Sequence, residues 1–160
     1  MTISAALANS FKKELLEGKH DFLTAVIKYV LLKNTHAGTY DKTQTNAGTP
    51  GTGTPSSSQV GTDAAAATGD YTPVTGVTIA FDAPALFGDV AVTHPTSALS
   101  LSSTTFTSGN ILGGIGFFNS SASNRWIGAL PFPGPVSTSG ATLAITWSNK
   151  DGTTGMIRIG

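Results

Sequence analysis

Residues 116–132, GFFNSSASNRWIGALPF, place two apolar runs on either side of a short polar joint. The joint, SSASN, has the length and the polarity of a β-hairpin loop. Beyond it, Trp126, Leu130 and Phe132 alternate with other residues and share one face of a predicted strand, with Gly128 between them. Glycines in the first run leave room for a neighbouring ring or backbone. The stretch therefore predicts a β-hairpin with a structural role, as two neighbouring strands of a sheet.

Short alternating runs of the same kind recur between residues 71 and 160, at intervals of about ten residues. They cover residues 74–81 (with Val77, Ile79 and Phe81 on one face), 88–94 (Val90 and Val92), 98–106 (Leu99, Leu101 and Phe106), 111–118, 125–132, 141–147 (Leu143, Ile145 and Trp147) and 156–160 (Ile157 and Ile159). No helical pattern separates them. This spacing predicts a mainly β fold, an antiparallel β-sandwich or a jelly roll.

One helix is predicted near the N-terminus, over residues 4–17. Ser4 is placed to cap it, and Leu7, Phe11 and Leu15 recur at the i, i+4 and i+8 spacing of a helix face. The side chains expected to face solvent are Lys12, Lys13, Glu14 and Glu17. Because a short helix is marginal by itself, we expect the apolar stripe to pack on the sheet or on a neighbouring subunit.

The first predicted strand is TAVIKYVLL, at residues 24–32. It is followed by a long loop, residues 34–70, that is rich in Gly, Thr and Pro. It offers few core anchors, so we expect it to be extended and mobile in the free protein and ordered by a partner. The candidate partner-contacting residues are Tyr40, Pro50, Pro55 and Val60. Deletion of residues 44–66 is accordingly expected to leave the remaining fold intact. Residues 1–160 then form one domain, with its main strand region at 71–160.

The composition excludes several classes of partner. The chain has 160 residues, enough to bury a core, and its nine basic and nine acidic residues cancel. Neither nucleic acid nor a membrane is therefore expected as a partner. Charged residues make up 11% of the chain, under half of the usual fraction of about 25%. A surface so poor in charge suits packing against other proteins, but a compact all-β protein with polar turns explains the same composition.

The N-terminal region lacks the basic start and the unbroken apolar core of a signal peptide. No apolar run approaches the roughly 18 residues of a membrane span. Cysteine is absent, which excludes disulfides and thiolate metal sites. We expect a protein that is made and used without translocation across a membrane.

The titratable residues give no sign of catalysis. The aspartates are scattered singly, at Asp21, Asp41, Asp63, Asp70, Asp82, Asp89 and Asp151. His20, His36 and His94 are too dispersed for a metal site, and no serine-nucleophile or phosphate-loop motif is present. We expect no enzymatic activity, no catalytic or metal-binding residues and no cofactor.

The two ends of the chain resemble a known family. SFKKELLEGKHDF followed by TAVIKYVLL is similar to the opening of a group of small virion proteins of tailed bacteriophages, in which a helix of the form S-F-K-x-E-L-L-x-G-x-H-x-F precedes the first strand. ILGGIGFFNSSASNRWIGALPF, GATLAITW and GMIRIG resemble the closing hairpin and last strands of that group. The resemblance covers residues 4–33 and 71–160, whereas the loop at 34–70 departs from the shorter members.

The resemblance implies a non-enzymatic structural protein of the virion, assembled in the host cytoplasm. Within that class we favour a capsid cement or decoration protein, a homo-oligomer (trimer favoured) on the outer face of the major capsid protein lattice. A tail or baseplate component is the first alternative. A carbohydrate-binding or receptor-binding module is the second. It would require two or three exposed aromatic residues near Asn, Asp or Arg, and the sequence offers one such cluster, Trp126 with Asn124 and Arg125. We nevertheless expect both Trp126 and Trp147 to lie in the core or at an interface.

Overall fold

The computed structural model describes residues 2–73, 77–148, 150, 153 and 156–159. In these residues the helix α1 is Asn9–Leu16. The strands are β1 (Ala6–Leu7), β2 (Ile27–Lys33), β3 (Val77–Thr78), β4 (Ala85–Phe87), β5 (Val90–Thr93), β6 (Leu99–Phe106), β7 (Leu112–Asn119), β8 (Arg125–Val136), β9 (Thr138–Ile145) and β10 (Ile157–Ile159). Part of the predicted strand at 74–81, Asp151 and the two glycines of GMIRIG lie outside the described residues.

The strands pair in antiparallel sheets. A five-stranded sheet has the order β1-β8-β7-β2-β3, a three-stranded sheet has the order β10-β5-β4, and β6 pairs with β9. Aromatic contacts join the sheets: the ring of Phe117 in β7 lies 5.9 Å from that of Trp147, just after β9, and 6.4 Å from that of Phe81. The predicted mainly β class, with one helix near the N-terminus, is confirmed for the described part of the chain.

The hairpin predicted from residues 116–132 is present as β7 and β8. Trp126 is fully buried over Gly116, where a Cβ would lie only 2.0 Å from the indole ring. Glycine is therefore required at 116.

The predicted alternation along β8 is wrong in one respect. Phe117 pairs with Gly128 and Phe118 with Trp126, so Ile127 is an extra residue in a β-bulge. Because the bulge reverses the facing of the residues after it, Leu130 lies on the opposite face of the sheet from Trp126.

The helix is shorter than the predicted 4–17. Ala6–Leu7 pairs with β8 as β1, and the backbone N–H of Ala8 donates to the carbonyl of Ile127 at 2.9 Å. Ser4 is not the cap, since its N–H donates to the carbonyl of Tyr40. Residues Ala6 and Leu7, which helical periodicity predicts to form the first turn of the helix, pair instead with the edge of β8. This tertiary pairing overrides their local helical preference.

The loop over residues 34–70 is anchored, and the expectation of a mobile loop is wrong. Tyr40, Pro50 and Val60 are buried and Pro55 is half-buried, so Tyr40 and Val60 belong to the core and not to a contact surface. Further buried residues of the loop are Ala47, Ala64 and Ala65. Small side chains let the loop backbone lie close to the sheet, and the deletion of residues 44–66 would remove part of the core.

Backbone hydrogen bonds hold the same loop against the strands. Ala47 N–H donates to the carbonyl of Asn124 at 2.8 Å, and Trp126 N–H donates to the carbonyl of Thr45 at 3.1 Å. At the other side of the sheet, Ala65 N–H donates to the carbonyl of Leu31 at 2.8 Å. The loop therefore covers parts of the sheet that would otherwise present unpaired backbone groups.

Candidate functional site

A buried ionic cluster lies where α1 meets the turn end of the β7–β8 hairpin. The Glu14 carboxylate is 6% exposed; it accepts a hydrogen bond from Arg125 and lies 2.9 Å from Nε2 of the fully buried His20. The prediction that Glu14 faces solvent is wrong. The carboxylate is buried because a guanidinium and an imidazole satisfy both of its oxygens.

Asn119 at the end of β7 completes this cluster. Its Nδ2 lies 3.3 Å from Nδ1 of His20 and donates to the carbonyl of Lys19, while its Oδ1 accepts from the N–H of Ala122 at 3.2 Å. With Asn119 as the donor to Nδ1, the proton of the His20 ring is on Nε2, where it is donated to Glu14. The cluster joins the chain after the helix to the turn of the hairpin.

The connection between α1 and β2 is fixed at its other end as well. The Asp21 carboxylate accepts hydrogen bonds from the Thr24 hydroxyl at 2.6 Å and from the N–H of Leu23 at 2.9 Å, and these bonds lower the pKa of Asp21. Val26 N–H donates to Oγ of Ser121 at 2.9 Å. Polar side chains at both ends therefore hold this connection in one conformation.

The end of α1 and this ordered connection expose large apolar side chains to solvent. Leu16 is 92% exposed and Leu23 is 68% exposed, and Val26 is also exposed. We call these three the N-terminal apolar residues. A single exposed leucine is ordinary, but three exposed apolar side chains within eleven residues of a rigidly held segment form the kind of surface that a partner covers.

A second group of exposed apolar side chains lies on the three-stranded sheet. Leu86 and Phe87 in β4 and Ile159 in β10 are exposed. The described residues thus present apolar side chains at two separate places in the sequence, one before the first long strand and one in the β4–β10 sheet.

Two cavities lie beside Leu130 and Met156. The first, of about 450 Å³, is lined by β1, β8, β5 and β10. The second, of about 350 Å³, is lined by His94, Phe132 and Trp147 among others.

The imidazole of His94 is buried at this second cavity, and its Nδ1 has no hydrogen-bond partner. Burial lowers the pKa of His94. The nearby Lys150 lowers this pKa further, whereas Asp82 raises it.

The predicted core or interface residues are found in different settings. Phe11 and Trp126 are fully buried, whereas Leu7, Leu15 and Trp147 are half-buried and pack against the core. The alternative of a sugar platform at Trp126 is not available: Trp126 has no exposed surface, and Asn124 donates to the carbonyl of Gly48 at 2.9 Å.

Sequence reasoning missed the contact between Glu14 and His20. Glu14 and His20 are six positions apart in the sequence, a spacing that does not place two residues on the same face of a helix. Gly18, with φ of +68°, ends the helix in the left-handed region and turns the chain so that His20 returns to Glu14. A glycine directly after the helix was the one signal in the sequence for that reversal.

No group of three or more His, Cys, Asp or Glu side chains within the described ranges is arranged to hold a metal ion. The helices in this part of the chain are too short or too polar to cross a membrane. Comparison with protein-family models, with curated proteins and with solved structures finds no match to this chain.

Proposed function

We propose that the chain is a non-enzymatic structural protein of a bacteriophage virion, a capsid cement or decoration protein that binds the major capsid protein lattice as a homo-oligomer. The observation that carries the proposal is a pair of exposed leucines, Leu16 at the end of α1 and Leu23 in the connection that follows it. The Glu14 cluster and Asp21 hold this region rigidly. A pre-ordered apolar surface loses little conformational entropy when a partner covers it.

The low charge of the chain supports the same function. Charged residues are 11% of the sequence and the net charge is zero, so few charged groups must be desolvated when the protein packs on a lattice. A cement protein needs only a modest contact at each site, because many sites act together on one particle. Binding to the assembled lattice then stabilises that lattice by mass action.

The test is a particle-binding assay with the double variant Leu16→Ser, Leu23→Ser. We expect lower occupancy on particles that lack the protein and earlier release of the genome on heating. The matched control is Ala144→Ser, an exposed substitution on β9. Thermal unfolding of the free variants checks that both still fold. Unchanged occupancy of the double variant would reject the N-terminal apolar residues as the contact, and particles that do not bind the wild-type chain would reject the function.

A carbohydrate-binding function is the second candidate, and the cavity beside Trp147 favours it. That cavity, of about 350 Å³, combines aromatic rings with the imidazole of His94, a combination suited to a sugar ring. Binding on a glycan array that is lost in Trp147→Ala and kept in Leu16→Ser would support this function over capsid binding.

A further inference from the structure

Strand β9 has one free edge. Among the described strands only β6 pairs with β9, and Leu101 lies opposite Leu143 in that pairing. The next residue of β6, Ser102, donates its N–H to the Asp70 carboxylate at 2.9 Å and accepts the N–H of Asp70 at 3.2 Å. The backbone groups of Ser102 therefore point away from β9. Those of Leu101 point toward β9, because successive residues of a strand alternate in direction.

The same alternation determines which backbone groups of β9 are free. Leu143 and Ile145 turn their N–H and C=O groups toward β6, so those of Thr142, Ala144 and Thr146 face the open edge. Within the described part of the chain, the backbone groups of these last three residues make no hydrogen bond. All three residues are exposed. A partner strand can therefore reach them.

The free edge extends one residue past the end of β9. Nε1 of Trp147 donates to the carbonyl of Ser97 at 2.8 Å, just before the start of β6. This bond holds the chain alongside β6 beyond Ile145, so Thr146 continues the row of free backbone groups. Residues 142–146 thus form an open edge about 17 Å long.

This edge lacks the protection that exposed edge strands usually have. Natural edges carry proline, lysine or a bulge. Strand β8 has such protection beyond the part that β1 covers, with Pro131, Pro133 and Pro135. Residues 142–146 contain neither proline nor a charged side chain, and the bulge in β9 lies before them, between Thr138 and Ala141.

The sequence of this edge is self-complementary. Residues 142–146 are TLAIT, which reads the same in both directions apart from the exchange of leucine and isoleucine. An antiparallel partner in which Ala144 faces Ala144 then places Thr142 opposite Thr146, and Leu143 opposite Ile145. A contact with twofold symmetry requires such a match, because the same surface patch meets itself.

We propose that β9 pairs with β9 of a second copy of this chain, antiparallel and centred on Ala144. The pair Ala144–Ala144 and the two Thr142–Thr146 pairs exchange the free backbone hydrogen bonds. On the outer face the paired threonine side chains lie next to each other. On the inner face Leu143 of the second copy covers Ile145, which is only half-buried in one copy. The two-stranded β6–β9 sheet becomes a four-stranded sheet that spans both copies.

Apolar surface next to the edge adds to the contact. Ile145 and Trp147 are half-buried and line the cavity of about 350 Å³ together with Phe132. A second copy seated on β9 removes part of this surface from water. A strand of this length is nevertheless a small contact compared with the roughly 1,200–2,000 Å² of a stable interface. We therefore expect weak association in solution that becomes effective where copies are held side by side.

The contact deepens the homo-oligomer of the proposed function without depending on a capsid. It joins two copies, so a trimer would use a different surface. The free protein tests the β9 contact and the particle-binding assay tests the capsid function, so the two proposals can fail separately. Ala144→Ser keeps the backbone groups and a small outward side chain, so this variant preserves the contact.

Cysteine cross-linking tests the register, because the natural chain has no cysteine. The two copies of Ala144 form a hydrogen-bonded pair with a Cα–Cα distance of about 5.5 Å, which permits a disulfide in Ala144→Cys. The two copies of Thr142 lie about 14 Å apart along the strands, so Thr142→Cys is the matched control. We expect Ala144→Cys to form covalent dimers under mild oxidation at least about tenfold faster than Thr142→Cys. Equal rates would overturn the proposal.

A mixture of Thr142→Cys and Thr146→Cys checks the same register with a different pair. These two positions face each other in the proposed contact, so mixed dimers should form faster than dimers of either variant alone. Dimers of Thr142→Cys alone that form as fast as the mixed dimers would place the twofold axis elsewhere, and the proposal would be wrong.

Sedimentation velocity at increasing concentration provides an independent measurement with Ala144→Pro. Proline removes the N–H that faces the free edge and leaves the pairing with β6 intact, so self-association should be lost. Ser100→Pro is the matched control, because Ser100 pairs with Ala144 and turns its own N–H to the opposite edge of the hairpin. Thermal unfolding shows whether both variants are folded. Self-association of folded Ala144→Pro equal to that of the wild type, or an equal loss in Ser100→Pro, would overturn the proposal.

Discussion

Glu14 in the helix and Arg125 in β8 form an ion pair across 111 residues of sequence. With His20 they tie the helix to the turn end of the central hairpin. Replacement of Glu14 by Ala leaves a buried imidazole and a part-buried guanidinium without their acceptor. Since Arg125 can still reach water, we expect Glu14→Ala to cost about 3 kcal/mol of unfolding free energy, at the lower end of the range for a broken buried pair.

The matched control is Glu17→Ala, on the same helix. Its carboxylate pairs with Lys13 and Lys19 at the surface. Surface pairs contribute little to stability, so we expect a much smaller change than for Glu14→Ala. Urea unfolding of both variants makes the comparison. If the two variants lose equal stability, the cluster around Glu14 has no special role.

The second prediction concerns Phe11, the fully buried residue of the helix. Its ring lies 4.8 Å from that of His20 and 6.0 Å from that of Phe22. Phe11→Ala opens a cavity and should cost on the order of 3–5 kcal/mol. Leu16→Ala, on the exposed side of the same helix, should change stability by less than about 0.5 kcal/mol. A melting temperature of Phe11→Ala equal to that of the control would show that the helix does not pack as described.

The fold could be predicted where local pattern and tertiary structure agree. The β7–β8 hairpin followed from two apolar runs and a polar joint, and β2 followed from TAVIKYVLL. The first turn of the helix could not be predicted, because the pairing of Leu7 with Gly128 depends on a strand more than a hundred residues away. The bulge at Ile127 likewise has no local sign.

The loop and the ionic cluster escaped prediction for a different reason. Composition indicated disorder at residues 34–70, but Ala47 and Ala64 are core residues because their small side chains allow close backbone approach. Glu14 has the same local context as Glu17, and only the distant Arg125 distinguishes them. Burial of a carboxylate depends on partners that no local pattern identifies.

The third prediction tests what orders the loop. The buried Asp63 carboxylate accepts hydrogen bonds from the Tyr40 hydroxyl at 2.6 Å, from Ala37 N–H at 2.8 Å and from Gly38 N–H at 2.7 Å. Burial and the nearby carboxylate both raise the pKa of Tyr40. Asp63→Ala removes the acceptor of two backbone N–H groups and leaves the Tyr40 hydroxyl with only the more distant carbonyl of Val60, at 3.2 Å, so we expect a loss of more than about 2 kcal/mol.

Hydrogen exchange and limited proteolysis supply the measurement for Asp63→Ala. The amides of Ala37 and Gly38 should lose protection, and residues 34–70 should become sensitive to protease. Asp41→Ala is the control, since the Asp41 carboxylate bonds only locally, to Thr43 at 2.6 Å. A loop cut equally fast in the wild type and in Asp63→Ala would mean that this carboxylate does not order it.

The last prediction concerns pH and His94. Burial lowers the pKa of His94 below its ordinary value of about 6.5, with Lys150 reinforcing and Asp82 opposing the shift. The folded state therefore resists protonation of this ring, and below pH of about 6.5 the unfolded state binds more protons. The contribution of neutral His94 to the free energy of unfolding is therefore fully present above a pH of about 6.5. It decreases as the pH falls below that value, and it stops decreasing once the pH is below the pKa of His94 in the folded state.

The measurement is the urea midpoint at pH 7.5 and at pH 5.5 for the wild type and for His94→Gln. The wild type should lose more stability between the two pH values than the variant, because glutamine cannot take up a proton. His20 and His36 are present in both proteins, so the difference isolates His94. Equal losses would show that the pKa of this ring is not lowered in the folded protein, and that the cavity beside Trp147 is open to water at His94.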